Sequence, residues 1–126
     1  MYQLSLPESQ DIQAKLHREL LENADVQFDQ LPYLDAVVKE GLRCFPPIPM
    51  SFPRYVPSGG KTLEGYYISE GTIVSCQPYT LHKDEKVFPD PMTFRPERWL
   101  ESDGPVDRDR LFFAFSQGSR GCIGKQ

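Results

Sequence analysis

Apolar residues recur at intervals of four early in the chain: Ile12, Leu16 and Leu20, with Leu21 beside them. That period marks an amphipathic helix with a narrow apolar stripe. Ser5 and Glu8 are spaced as a capping box, with Pro7 tolerated in the first turn, so the pattern predicts a helix over 5–23. A polar linker follows over 24–30. A second helical period runs from Leu31 to Cys44, where Leu34, Val37, Val38, Gly41 and Leu42 share one side. Pro46 and Pro47 end it, because a residue before proline avoids helical ψ. Beyond that point the period of four disappears. Phe52, Arg54 and Val56 alternate, and Thr72–Cys76 is short and β-branched. Turn signals lie between them at Ser58-Gly59-Gly60, Glu64-Gly65 and Ser69-Glu70-Gly71, around Leu63, Tyr66 and Ile68. These predict a small antiparallel sheet, with Cys76 as a buried small hydrophobe. Pro89-Asp90-Pro91 reads as a rigid turn, and Asp103-Gly104-Pro105 as another. The apolar run Leu111–Phe115 is expected to be buried, and it feeds a glycine-rich end. The class is α+β: two amphipathic helices, a small sheet, an irregular meander and a closing loop.

Composition adds one thing the pattern does not. The chain has 126 residues, enough for one domain with a modest core. Ten of its 12 prolines lie after residue 45. Only the front third can be helical, and the remainder must be loop, turn and short strand. That division suits a piece of a larger fold better than an independent domain. A net charge of −4 argues against a nucleic-acid partner. No apolar run approaches the roughly 18 residues of a membrane span. Residues 1–10 lack the charged-then-apolar shape of a secretory signal. Three scattered cysteines argue against a disulfide framework and fit a reducing, intracellular compartment.

The chemistry concentrates in the last stretch, Phe115–Gln126. Cys122 sits there among Gly118, Gly121 and Gly124, with Arg120 two residues upstream. Glycines at this density let a backbone approach a flat group closely. A cysteine among them suits a metal-bound thiolate whose charge is held by nearby N–H donors. Arg120 offers a planar fork to a carboxylate. A glycine-rich turn around an inert buried thiol is the plainer alternative. A phosphate loop fails on spacing: Ser119 stands where its first glycine belongs, and Gln126 replaces the hydroxyl residue. Zinc fails too, since Cys44, Cys76, Cys122, His17 and His82 show no ligand spacing. His82, alone near the end of a short helix, is expected to cap or pack and is given no catalytic role.

Glu40 and Arg43 are helical neighbours at i and i+3. They point away from the aliphatic side, beside Tyr33 and Ala36. Periodicity by itself makes them a solvated pair worth about 0.3 kcal/mol. Downstream comes Phe94-Arg95-Pro96-Glu97-Arg98-Trp99.

Taken together, Glu40-x-x-Arg43, Pro96-Glu97-Arg98-Trp99 and Phe115-x-x-Gly118-x-Arg120-x-Cys122-x-Gly124 resemble the three motifs of the cytochrome P-450 family, the haem-thiolate monooxygenases. The resemblance covers essentially all 1–126, as a single partial domain of that mainly helical fold. The wording of Pro46 to Tyr79 is similar to fungal members. The resemblance implies a buried structural triad of Glu40, Arg43 and Arg98 that fixes the meander leading to the loop. It implies haem b as cofactor, with Cys122 as axial thiolate and metal ligand. Gly124, and the backbone near Gly121, would donate to sulfur; Arg120 would pair with a propionate, and Phe115 would shield the proximal face. Gly118 completes the loop motif. Arg54 aligns with a basic position against a propionate, with an ordinary edge-strand charge as the alternative. Ile48, Pro49, Met50 and Phe52 would line a pocket for a small apolar organic substrate. Electrons would come from an NADPH-dependent flavoprotein reductase. A full-length eukaryotic relative would be anchored in the endoplasmic reticulum membrane, by a segment this chain lacks. The family's oxygen-side helix has no counterpart here, so the chain is expected not to turn over alone. The alternative is a non-catalytic truncated remnant that does not retain haem; a phosphate-binding module is a weaker third.

Overall fold

The computed structural model describes residues 2–125. Met1 and Gln126, the ends of the expected domain, lie outside the described residues. The first helix, α1, spans Gln10–Glu22, later than the pattern predicts. Ser5 is not its cap. Its hydroxyl donates to the Tyr2 carbonyl at 2.7 Å, inside a 3-10 turn over Tyr2–Ser5. A second 3-10 turn, Pro7–Ser9, leads into α1. Pro7 thus opens that turn, where its missing N–H costs nothing.

Helix α2 spans Pro32–Cys44, as the prolines at either end dictate. Its N-terminus is capped from another helix. Glu19 of α1 accepts from the backbone N–H groups of Tyr33 and Leu34, each at 2.8 Å. One carboxylate therefore satisfies two of the orphan donors that open a helix, and its charge opposes the positive end of the helix dipole. This contact also sets α1 against α2.

The β segment is two small antiparallel ladders rather than one sheet. Strand β1, Phe52–Tyr55, pairs with β4, Ile73–Cys76; β2, Lys61–Leu63, pairs with β3, Tyr66–Ile68. The β2–β3 turn is Glu64-Gly65, both at positive φ (48° and 84°), the geometry of a tight two-residue hairpin. Cys76 is exposed, against expectation. A two-stranded ladder leaves its edges and most of both faces to solvent.

The short helix α3, Pro78–Leu81, begins the meander. A 3-10 turn over Pro96–Trp99 packs against α2. Helix α4, Pro105–Leu111, precedes the last segment. The expected burial of Leu111–Phe115 is only partial: all five are half-buried. Their aromatic rings still join the core. Trp99 meets Phe88 at 5.9 Å and Phe112 edge-on at 5.1 Å, and Phe113 meets Phe52 of β1 at 5.9 Å.

The face that α2 buries is not its aliphatic one. Tyr33, Ala36, Val37, Glu40, Arg43 and Cys44 are buried, whereas Val38 is 51% exposed. Leu34, Val37, Val38, Gly41 and Leu42 line an open apolar groove with Leu16 and Phe94. Among the described residues, no helix is long and apolar enough to cross a membrane.

Candidate functional site: a buried charge knot beneath a cysteine loop

Periodicity alone misplaces Glu40. It is fully buried, as are Arg43 and Arg98 (each 0% exposed). The meander folds over the polar face of α2 and supplies enough partners to make that burial tolerable. Arg43 grips the Glu40 carboxylate with two parallel bonds, Nε to Oε2 and Nη2 to Oε1, both at 2.9 Å. Arg98 adds Nε to Oε1 at 3.1 Å. The backbone N–H of Arg95 reaches Oε1 at 2.9 Å, and the indole N–H of Trp99 reaches Oε2 at 3.0 Å. Both oxygens are saturated by donors.

Both guanidinium groups also reach main-chain carbonyls, and Arg43 Nη2 reaches the Cys44 sulfur at 3.0 Å. Arg43 donates from Nη1 to His82 and Pro91, both at 2.8 Å, and from Nη2 to Thr93 at 3.2 Å. Arg98 donates to the carbonyls of Pro89 (2.8 Å), Asp90 (3.4 Å) and Thr93 (3.3 Å). The turn Pro89-Asp90-Pro91 thus aims its carbonyls inward at two cations. Proline suits it, having an acceptor and no donor to strand. Burial by itself would push the Glu40 pKa up, but the Arg43 bond and charge, the Arg95 N–H and Arg98 outweigh it and hold the carboxyl below its usual range. Burial and the Glu40 charge push the neighbouring Cys44 thiol up, which keeps it inert.

A second network braces the first. Glu97 accepts from Lys15 of α1 at 2.6 Å and from the Tyr33 hydroxyl at 3.0 Å. Burial and the Glu97 bond raise the Tyr33 phenol well above its ordinary range. The Glu of the Pro-Glu-Arg-Trp motif therefore ties the meander to both helices, a role the sequence did not disclose. Lys15 and Glu97 lie 82 positions apart, and no local spacing signals the pair.

The cysteine loop hangs outside this knot. Its entrance is strained: Ser116 adopts φ +58° and its hydroxyl is buried with no hydrogen-bond partner among the described residues. Gly118 is at φ +71°. The Cys122 N–H donates to the Phe115 carbonyl at 2.8 Å, closing the loop on itself. The Gly121 N–H donates to the Gly118 carbonyl at 3.0 Å and so is not free for sulfur, contrary to expectation. Cys122 is exposed, not packed in hydrocarbon. A Cβ at Gly118 would meet nothing within 4 Å, and one at Gly124 would sit 3.7 Å from the Cys122 sulfur. The loop presents an exposed cysteine with the Gly124 backbone beside its sulfur. That chemistry fits a flat porphyrin ligated through the thiolate. Phe115 is half-buried, and Arg120 is exposed. Arg54 is exposed too, its Nη1 donating to the Pro53 carbonyl at 2.8 Å. Ile48, Pro49 and Met50 lie on the surface, apart from Phe52, which packs on Phe113.

The family model for cytochrome P-450 matches residues 3–126. The chain belongs to the cytochrome P-450 family. It is 48% identical over 96 residues to the cytochrome P-450 monooxygenase ORF11 of Penicillium roqueforti, covering 76% of this chain and 20% of that protein. It is 44% identical over 125 residues to the monooxygenase ankB of Aspergillus thermomutatus, covering 93% of this chain and 24% of that protein. It is 46% identical over 100 residues to cloA of Claviceps purpurea, covering 78% and 19%. The P-450 chain thus spans about a fifth to a quarter of the length of the curated relatives it matches. It is an α+β piece of the P-450 fold, and the three relatives compared are named monooxygenases from fungi.

Proposed function

We propose that Cys122 is the axial thiolate ligand of a haem b and that the chain forms the proximal, cysteine-bearing part of a monooxygenase. The observation that carries this is the exposed Cys122 sulfur in a glycine loop, suspended from a fully buried Glu40–Arg43–Arg98 knot. When bound, a haem-thiolate supplies dioxygen activation, with one oxygen atom inserted into an organic substrate and the other reduced to water. The chain's own residues hold and orient. Gly118 and Gly124 keep the loop flat enough for a ring to approach. Arg120 and Arg54 are assigned to pair with propionates, and Phe115 to cover the sulfur side. Phe52, with Ile48, Pro49 and Met50, is assigned to the substrate side, for a small apolar organic substrate. Electrons are assigned to an NADPH-dependent flavoprotein reductase, and a full-length eukaryotic form of the protein to the endoplasmic reticulum membrane.

The test is haem reconstitution of the chain followed by an absorption spectrum of its reduced, carbon monoxide-bound form. A thiolate-type Soret band that disappears in Cys122→Ser supports the reading. Haem uptake that Cys122→Ser leaves unchanged overturns Cys122 as ligand. No uptake at all assigns the chain to a remnant without cofactor.

A further inference from the structure

His82 has no part in the cysteine chemistry above, yet it is fully buried between the charge knot and the segment that leads into the loop. Its Nδ1 lies 3.2 Å from the Arg43 carbonyl. Its Nε2 accepts from the Phe113 backbone N–H at 2.9 Å. Its ring stacks on Phe112 at 5.6 Å and 21°. Both backbone groups it reaches are ones that secondary structure leaves orphaned. The Arg43 carbonyl lies in the last turn of α2, where no residue four positions on is helical. The Phe113 N–H lies just past α4, whose closing bond runs from the Phe112 N–H to the Arg108 carbonyl at 2.8 Å.

The partners fix the tautomer. A backbone N–H only donates, so Nε2 must carry its lone pair toward Phe113. A carbonyl only accepts, so Nδ1 must carry the proton. Either the other tautomer or an imidazolium would set two N–H groups against each other at 2.9 Å. The link is reciprocal on the knot side: Arg43 donates its guanidinium to the His82 carbonyl at 2.8 Å, and the His82 ring donates to the Arg43 carbonyl. On the other side Phe113 is two residues from Phe115, whose carbonyl holds the Cys122 N–H at 2.8 Å. A continuous path of bonds therefore runs from the buried guanidinium through the imidazole to the loop.

We propose that His82, as the Nδ1–H tautomer, is a positioning residue that couples the Glu40–Arg43–Arg98 knot to the entry of the cysteine loop and so sets how Cys122 is presented. A purely apolar ring would fill the same space and stack on Phe112, but would leave a buried carbonyl and a part-buried N–H without their present partner. The consequence for a metal ligand rests on the assignment of Cys122 above. The coupling does not, and it is tested without haem, so the two fail separately.

The experiment uses the full 126-residue chain. Long-range nitrogen–proton correlations give the tautomer directly, and exposed His17 is the only other imidazole signal. The expected result at neutral pH is a proton on Nδ1 and none on Nε2. Amide exchange and thiol labelling are then compared in His82→Phe and His82→Gln. A glutamine amide keeps one donor and one acceptor at nearly the ring's spacing. In His82→Phe the Phe113 amide exchanges, and Cys122 labels relative to exposed Cys76, at a rate changed by about tenfold or more, the size expected for one lost hydrogen bond. His82→Gln restores both toward wild type. A proton on Nε2 overturns the proposal, as does a His82→Phe chain that folds and keeps the wild-type rates. So does a His82→Gln chain as fast as His82→Phe. If His82→Phe does not fold, the tautomer and the His82→Gln rates decide.

Discussion

The indole nitrogen of Trp99 lies 3.0 Å from Glu40 Oε2, across 59 positions of sequence. The motif residue that follows Arg98 is thus not only an aromatic plug between Phe88 and Phe112. It is a donor to the buried carboxylate that organises the meander. Trp99→Phe keeps most of the ring contacts and removes that one bond. A hydrogen bond to a charged group is worth about 1.5–3 kcal/mol, so stability should fall by that amount in urea unfolding with an unchanged m-value. A loss under about 0.5 kcal/mol would show that Arg43, Arg98 and the Arg95 N–H hold Glu40 without help.

Glu40→Gln tests the knot more severely. The amide cannot accept from every donor that converges on the carboxylate, and it leaves two buried guanidinium groups without their countercharge. Removing one partner of such a buried set costs roughly 3–5 kcal/mol. The expected outcome is loss of the cooperative unfolding transition and, in a reconstitution assay, loss of haem incorporation. Normal incorporation would dismiss the structural role.

Two fully buried groups give stability an acid dependence with separable windows. Burial, with the Arg43 and Lys83 charges, lowers His82 from 6.5 to about 4, against the opposing effect of its bond to the Arg43 carbonyl. The unfolded chain then takes up a proton that the folded chain refuses. Stability is fully present above pH 6.5 and falls by roughly 3 kcal/mol as pH drops from there to about 4. Glu40 is depressed below 4.5, so its contribution is lost only at lower pH, as its folded-state carboxyl protonates. Stability measured between pH 8 and 4.5 should therefore slope in the wild type and lie flat in His82→Gln. Equal slopes would remove His82 as the cause.

Glu19 is the other element that spacing did not reveal. Both of its oxygens cap α2 at 2.8 Å. Glu19→Ala should cost about 1 kcal/mol, in the range of a lost N-cap, and Glu19→Gln should cost less because one acceptor remains. The check is thermal unfolding at two salt concentrations. The Glu19→Ala effect should persist at high salt, since the hydrogen bonds outlast the screened dipole attraction. An effect that vanishes with salt would reduce the contact to long-range electrostatics.

What the sequence disclosed divides along physical lines. Helix α2 was legible because prolines bracket it and its period is clean. The positions of Glu40, Arg43 and Arg98 were legible only through motif spacing. Hydrophobic periodicity pointed the opposite way, because the face that α2 buries is covered by carbonyls of the meander instead of by hydrocarbon. The partial exposure of Leu111–Phe115 and the open groove along Val38 and Leu42 went unread for a related reason. Composition says that a run is apolar, not whether anything covers it. Glu19, Lys15 and His82 escaped because their partners lie far off in sequence or on the backbone, where no residue type marks them.

The three thiols offer a last check on the loop. Cys76 and Cys122 are exposed, and Cys44 is buried with Arg43 Nη2 at 3.0 Å from its sulfur. Under native conditions two thiols should therefore react quickly with a disulfide reagent, and the third only as fast as the α2–meander core opens. Cys122→Ser should remove one fast thiol and leave the slow one untouched. Trp99→Phe, by loosening the knot, should speed Cys44 about tenfold or more for each 1.4 kcal/mol lost, with no change at Cys76. If Cys44 reacted as fast as the other two in the folded chain, the meander would not be closed over the polar face of α2. The buried-knot account of the cysteine loop would then have nothing beneath it.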